Sequence, residues 1–272
     1  MVLVRRLVSS LLDLVLPLHC AACGRPGAAW CRRCSRALAR SRLPTGARRV
    51  RPDPVPRGLP DCYAWGSYSG PLRAGIRAWK DGDRRDLDRG LAGLLAGAMD
   101  EARQAPGWPS GGVLVVPIPS SRRADRLRGD RPLVRVTTLA VARCGGAPGP
   151  GSSFPPSDAL WLEGPVLALR HRRSVADQAG LGAVARLTNL HGSMEVRPRA
   201  ATLVRDRTCL LVDDVMTTGS TLAEGARVLR DAGAAHVRAA VIAATPRFPE
   251  PTRRSTVVER APVPGTPSSG RA

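Results

Sequence analysis

The chain has 272 residues, enough for one sizeable core and a small appendage but not for two large domains. With 43% hydrophobic and 24% charged residues it is neither disordered nor fibrous in composition, and 3% aromatic residues supply no platform for stacking bases. A net charge of +20 favours polyanionic partners, yet 42 Lys+Arg include a single lysine, Lys80, and the arginines are spread along the chain, so no one basic block stands out.

The first segment, VLVRRLVSSLLDLVLPLHC, pairs a basic start with an apolar run, as a secretory or lipoprotein leader does. Asp13 interrupts the run and His19 is a poor residue before a processed cysteine, so the expectation is a core-docking or amphipathic helix over residues 2–16. No stretch reaches the ~20 apolar residues of a spanning helix, and the chain reads as soluble and cytoplasmic.

Cys20 and Cys23 form one C-x-x-C pair, and Cys31 and Cys34 a second after a seven-residue spacer. Four thiolates at that spacing suit a tetrahedral zinc ion with no open position, a structural site able to support a contact with protein or nucleic acid. Two disulfides would need an oxidising compartment, and a redox dithiol would need one pair. Cys62, Cys144 and Cys209 read as ordinary thiols. The helix and ribbon occupy residues 1–42, and the proline-rich stretch 43–60 reads as a linker.

From residue 61 to 246 the pattern is α/β. Leu87, Leu91, Leu94, Leu95 and Met99 recur at helical spacing and predict a helix over Asp86 to Arg103. Val113 to Pro119, VLVVPIP, predicts a buried parallel strand, and a helix is expected over Pro132 to Cys144. Residues 144–165 read as an insertion, followed by a helix near Val175 to Leu190. A strand over Thr208 to Asp213, a turn, a helix from Thr221 to Ala232 capped by Gly233, and the strand HVRAAVIAA complete a parallel sheet with right-handed crossovers. Residues 247–272 lack periodicity and read as a disordered tail.

The stretch CLLVDDVMTTGST, Cys209 to Thr221, carries the most chemistry. Thr217, Thr218, Gly219, Ser220 and Thr221 lead from a strand end into a helix, where main-chain amides converge on an anion and hydroxyls add donors. Asp213 and Asp214 are poor phosphate ligands but good acceptors for the two hydroxyls of a ribose whose 5-phosphate fills that cup. The bland alternative is a helix cap beside a solvated acid pair. No Gly-Lys-Ser or Gly-Lys-Thr competes, and Gly180 to Ala185 imitates a dinucleotide fingerprint inside a helical pattern.

VDDVMTTGST resembles the phosphoribosyl pyrophosphate motif of type I phosphoribosyltransferases. With the cysteine ribbon, VPIP and RHRRSVADQ, the chain from about residue 14 to 245 resembles the ComF family of competence-associated phosphoribosyltransferase-like proteins. The resemblance implies a type I phosphoribosyltransferase-like parallel sheet flanked by helices. It implies binding of phosphoribosyl pyrophosphate, or a related ribose 5-phosphate, with magnesium that arrives on the ligand. Asp213 and Asp214 would hold the ribose, and Pro117, Ser120 and Ser121 would meet pyrophosphate. Arg170, Arg172 and Arg173 would close over the leaving group. Lys80 follows an aromatic strand and short helix where the family commonly has a lysine, which implies a structural or ligand role. Asp130 and Arg131 stand where the family's Arg-Gly element continues with an aromatic and an asparagine. Two readings stay open: a phosphoribosyltransferase, and a non-catalytic protein for single-stranded DNA or the DNA-uptake machinery of competence.

Overall fold

In a computed structural model, the described residues are 18–43, 48–109, 111–120, 130–145, 160–172 and 192–245. The helices expected over 2–16 and 175–190, most of the 144–165 insertion, and the tail from 246 lie outside them.

Nine consecutive residues, Thr208–Met216, form β7, and nine more, His236–Ala244, form β8. Residues 210–212 of β7 and 239–244 of β8 are apolar on both faces, as strands covered by helices on each side must be. They anchor a six-stranded sheet in the order β1-β2-β8-β7-β3-β4. Its other members are β1 (Arg48–Val50), β2 (Cys62–Ser67), β3 (Gly111–Pro117) and β4 (Leu160–Glu163). Every pairing is parallel except that of β1, which runs antiparallel on the β2 edge. The stretch expected as a linker therefore contributes a strand.

Helix α1 (Arg32–Arg40) starts after Cys31 and carries Cys34 of the cysteine cluster; α2 (Gly70–Asp81), α3 (Asp88–Gln104) and α4 (Pro132–Arg143) come next in the chain. Side chains of α2, α3 and α4 build one core with Leu210, Val212 and Ile242 of the sheet. On the opposite face lie α6 (Ser220–Asp231), the short helix α5 (Ala201–Val204) and a hairpin of β5 (Leu169–His171) with β6 (Met194–Val196), packed over Cys209, Leu211 and Val241. Apolar side chains from both faces enclose β7, which puts its carboxyl end where open parallel sheets hold ligands.

Asp88 knits the three helices of the first face. It is 8% exposed, accepts the Trp79 indole N–H at 2.7 Å and is paired with Arg135 of α4 at 2.8 Å. A buried acid is tolerable when its oxygens are so engaged. Trp79 precedes Lys80, so this network also fixes the end of α2.

The ribbon docks through Trp30. Its ring covers Gly75 of α2 so closely that a Cβ there would lie 2.0 Å from the ring, and the Arg84 guanidinium donates to the His19 carbonyl at 2.7 Å. Glycine costs about 1 kcal/mol of helix propensity relative to alanine, so the close approach of the indole is what requires it. Gly75→Ala should regain that propensity yet lose more to overlap, lowering stability by about 1–2 kcal/mol in urea titrations. An increase in stability would show that the indole does not sit there.

Candidate ribose-phosphate site

The expected strand end at Asp213 is extended: β7 runs on to Met216, with Asp213 beside Val241 and Val215 beside Ala243 of β8. Both acids therefore sit on rigid backbone. Beyond Pro117, which pairs with Val212, β3 has ended, and a cavity of about 570 Å³ opens there. It is lined by Asp213, Asp214, Lys80, Ser120, Thr217 and Thr221, which the chain supplies from three separate segments.

The two acids are unequal. Asp214 is buried; its Oδ1 accepts the Val215 amide at 2.8 Å and its Oδ2 lies 2.7 Å from Lys80 Nζ. Asp213 Oδ1 accepts the Asp214 amide at 2.8 Å. Desolvation, and after it the Asp214 charge, pushes the Asp213 carboxyl well above the ordinary carboxylate range; Lys80 offsets only part of this. Lys80 is itself raised: burial opposes its charge, but attraction to Asp214 and then Asp213 outweighs it. Lys80 is the neutralising partner of a doubly acidic strand end, with half of its side chain still open to the cavity.

The loop has the shape of an anion cup. Gly219 adopts φ +74° as the residue before α6, a left-handed conformation that favours glycine. A Cβ there would also press on Leu59 at 3.1 Å and Pro52 at 3.3 Å, so the 43–60 stretch roofs the loop. The Thr218 hydroxyl donates to Ser220 Oγ at 3.1 Å. Among the described residues the amides of Thr217, Thr218 and Gly219 donate no hydrogen bond to protein. They are available to an oxyanion at the positive end of a twelve-residue helix.

Other residues named from the sequence fall elsewhere. Pro117 and Arg170 line a second cavity of about 200 Å³, and Ser120 borders both. Arg170 is in β5, paired with Glu195 at 2.8 Å; Arg172 is 63% exposed and lies 3.5 Å from the same carboxylate. Arg170 and Arg172 thus share one acid and stand apart from the acid-pair cavity. Ser121 and Arg173 lie outside the described residues. Tyr68, Arg77, Asp81 and His171 line the larger cavity and were missed from sequence. Arg77 stands three residues before Lys80 on α2, a spacing that puts both on one helix face and could have flagged it.

The four cysteine sulfurs lie within 4.8 Å of one another, with Cys23 and Cys31 at 3.6 Å. Tetrahedral ligation at Zn–S of about 2.3 Å separates sulfurs by about 3.8 Å, so the donor set can hold a metal ion. Burial raises Cys20, but amides led by that of Cys31, at 3.4 Å, bring it down to about 6, where the thiolate is the ready form. Burial pushes Cys144 and Cys209 up to about 12.

The raised Asp213 carboxyl makes a prediction with a defined sign. A group whose folded pKa exceeds its unfolded one costs the folded state stability as pH rises from the unfolded range, about 4, through the folded value. Asp213→Asn keeps the acceptor for the Asp214 amide and removes that cost. It should raise the melting temperature at pH 7.5 by about 2–4 °C, with the gap to the parent closing toward pH 4. A gap independent of pH would contradict the assignment.

Residues 164–260 match the family model described as the phosphoribosyl transferase domain. Among solved structures, the chain is 16% identical to the glutamine phosphoribosylpyrophosphate amidotransferase of B. subtilis over 58% of this chain and 26% of that one, with a TM-score of 0.32. It is 17% identical to an allosteric regulatory enzyme of purine biosynthesis over 57% and 25%, with a TM-score of 0.30. The hypoxanthine phosphoribosyl transferase of Trypanosoma cruzi is 14% identical over 61% and 70%, also at 0.30. The chain thus spans about a quarter of the length of the first two. No curated protein matches it. The matched segment takes in β7, the anion cup and α6, and the chain carries a phosphoribosyl transferase-type α/β domain.

Proposed function

We propose that the chain binds phosphoribosyl pyrophosphate, or a closely related ribose 5-phosphate, in the acid-pair cavity, and transfers its phosphoribosyl group to a nitrogen acceptor. The observation that carries this reading is the meeting of a carboxylate pair and unpartnered loop amides at one strand end. The amides and the Thr217 and Thr221 hydroxyls take the 5-phosphate, and Asp213, which has an oxygen to spare, takes a ribose hydroxyl. In the transfer, the acceptor lone pair forms the new bond to the anomeric carbon. The bond to pyrophosphate breaks with its electrons, and the acceptor's proton is released to solvent. An ionised Asp213 stabilises positive charge that develops on the ribose.

Magnesium fits as a companion of the ligand. Asp214 is neutralised by Lys80 and its oxygens are engaged, so of the acid pair Asp213 is the one offered toward a cation, and pyrophosphate oxygens would supply much of the remaining coordination. When bound, the ion offsets charge on the leaving group.

Calorimetric titration with magnesium phosphoribosyl pyrophosphate tests the reading. Binding should saturate at one ligand per chain; Thr221→Ala should weaken it about tenfold, the worth of one hydrogen bond to a charged group. The Asp213→Ala, Asp214→Ala double variant should abolish it. A parent protein that gives no heat and no competition with ribose 5-phosphate would refute the proposal.

The cysteine cluster is assigned a structural zinc ion. Purified protein should carry one zinc per chain, and chelation should lower the melting temperature. Because Trp30 ties the ribbon to α2, the same treatment should leave ligand stoichiometry unchanged while weakening affinity.

One observation favours a second reading, the binding of single-stranded DNA. Arg32, Arg33, Arg36 and Arg40 of α1 are exposed, and no acid pairs with them among the described residues. Filter binding that falls with salt, persists in the double aspartate variant and is lost when these arginines become glutamine would place DNA on the ribbon. No retention even at low salt would remove this reading.

A further inference from the structure

The cavity of about 200 Å³ beside the larger one has no role in the chemistry above beyond its shared edge. We infer that it is the acceptor subsite and that it selects a small planar ring bearing a carboxylate. This rests on the transfer reading, because it assigns the cavity to the second substrate.

Two features of the lining point there. Three guanidinium groups reach it from different elements: Arg131 ahead of α4, Arg170 in β5 and Arg197 after β6. Arg170 is balanced by Glu195. Arg197 donates from Nε to the Leu169 carbonyl at 3.3 Å, which fixes its stem, and no acid pairs with it among the described residues. The remaining walls are largely apolar, formed by Leu133, Leu167 and Leu169 with Pro117 at the end of β3 and Pro119 just after it. A bare pyrophosphate would satisfy the arginines and be desolvated against leucine, an arrangement that costs free energy. A neutral heterocycle would fill the apolar part and leave the Arg197 charge without an anionic partner. A ring acid satisfies both halves.

Size agrees. A cavity of about 150 Å³ accepts benzene, so about 200 Å³ holds one six-membered ring with a carboxylate substituent. The cavity is also contiguous with the acid-pair site. His171 stands on the wall between the two, its Nε2–H donating to the Pro119 carbonyl at 3.0 Å, and Ile118, Ser120 and Leu133 border both spaces. A ring seated among the leucines can present its nitrogen across that shared edge to a ribose beside Asp213.

The test uses the full chain, with zinc retained. Orotate, nicotinate and anthranilate are titrated against adenine, hypoxanthine and uracil, each with and without magnesium phosphoribosyl pyrophosphate. The ring acids should bind at least about tenfold tighter than the neutral bases, the difference made by a charge-assisted hydrogen-bonded pair. Arg197→Met should erase that preference, and Arg197→Lys should keep part of it. Val134 of α4 also lines this cavity; Val134→Phe, which fills the apolar side, should weaken every ring, while both Arg197 variants leave affinity for phosphoribosyl pyrophosphate within about twofold of the parent. Equal binding of acidic and neutral rings, or displacement of a bound ring acid by inorganic pyrophosphate alone, overturns the inference. Ring-acid binding without any affinity for phosphoribosyl pyrophosphate overturns the transfer reading instead and leaves the carboxylate subsite standing. Loss of both ligands overturns both.

Discussion

Two adjacent carboxylates placed at the buried end of a central strand repel each other and lack the water that would solvate them. The fold answers this with Lys80. Its ammonium reaches Asp214 from the last turn of α2, and α2 is held in place by the Trp79–Asp88–Arg135 network against α3 and α4. The remaining electrostatic cost falls on Asp213, whose carboxyl burial and the Asp214 charge hold well above the ordinary carboxylate range. A ligand that brought hydroxyl donors, or a cation, to that oxygen would offset this cost. The residue proposed to hold a ribose hydroxyl is thus the one whose carboxyl costs the fold stability.

The anion cup and the acid pair are built from different physics yet fixed by the same strand. The cup relies on unpartnered amides and a left-handed Gly219, neither of which needs charge. The acids rely on an imposed field. Because β7 runs unbroken through both carboxylates, the distance between cup and acids is set by strand geometry rather than by a loop. Rigid placement of that kind is what positioning a two-ended ligand such as a sugar phosphate demands.

Much of this was legible from residue pattern alone. Apolar runs bounded by prolines or by Gly233 gave β3, β8 and the end of α6, and the long leucine repeat gave α3. Less visible were β4, β5 and β6, which have three or four residues each and little alternation to read. β1 hid in a proline-rich stretch because two of its three residues are exposed arginines, and only the free edge of β2 makes it a strand. Asp213 and Asp214 are indistinguishable as letters; their difference arises from Lys80, which lies more than a hundred positions earlier. Likewise, nothing in the spacing of Arg170 and Arg172 reveals that Glu195 holds both.

The roof that Pro52 and Leu59 lay over Gly219 ties the segment between β1 and β2 to the turn proposed to hold the anion. That segment is further stapled by Arg230 of α6, which donates to the Gly58 carbonyl at 2.7 Å. A proteolytic nick between residues 50 and 60 would consequently loosen the turn itself, although the cut lies some 160 positions upstream of it.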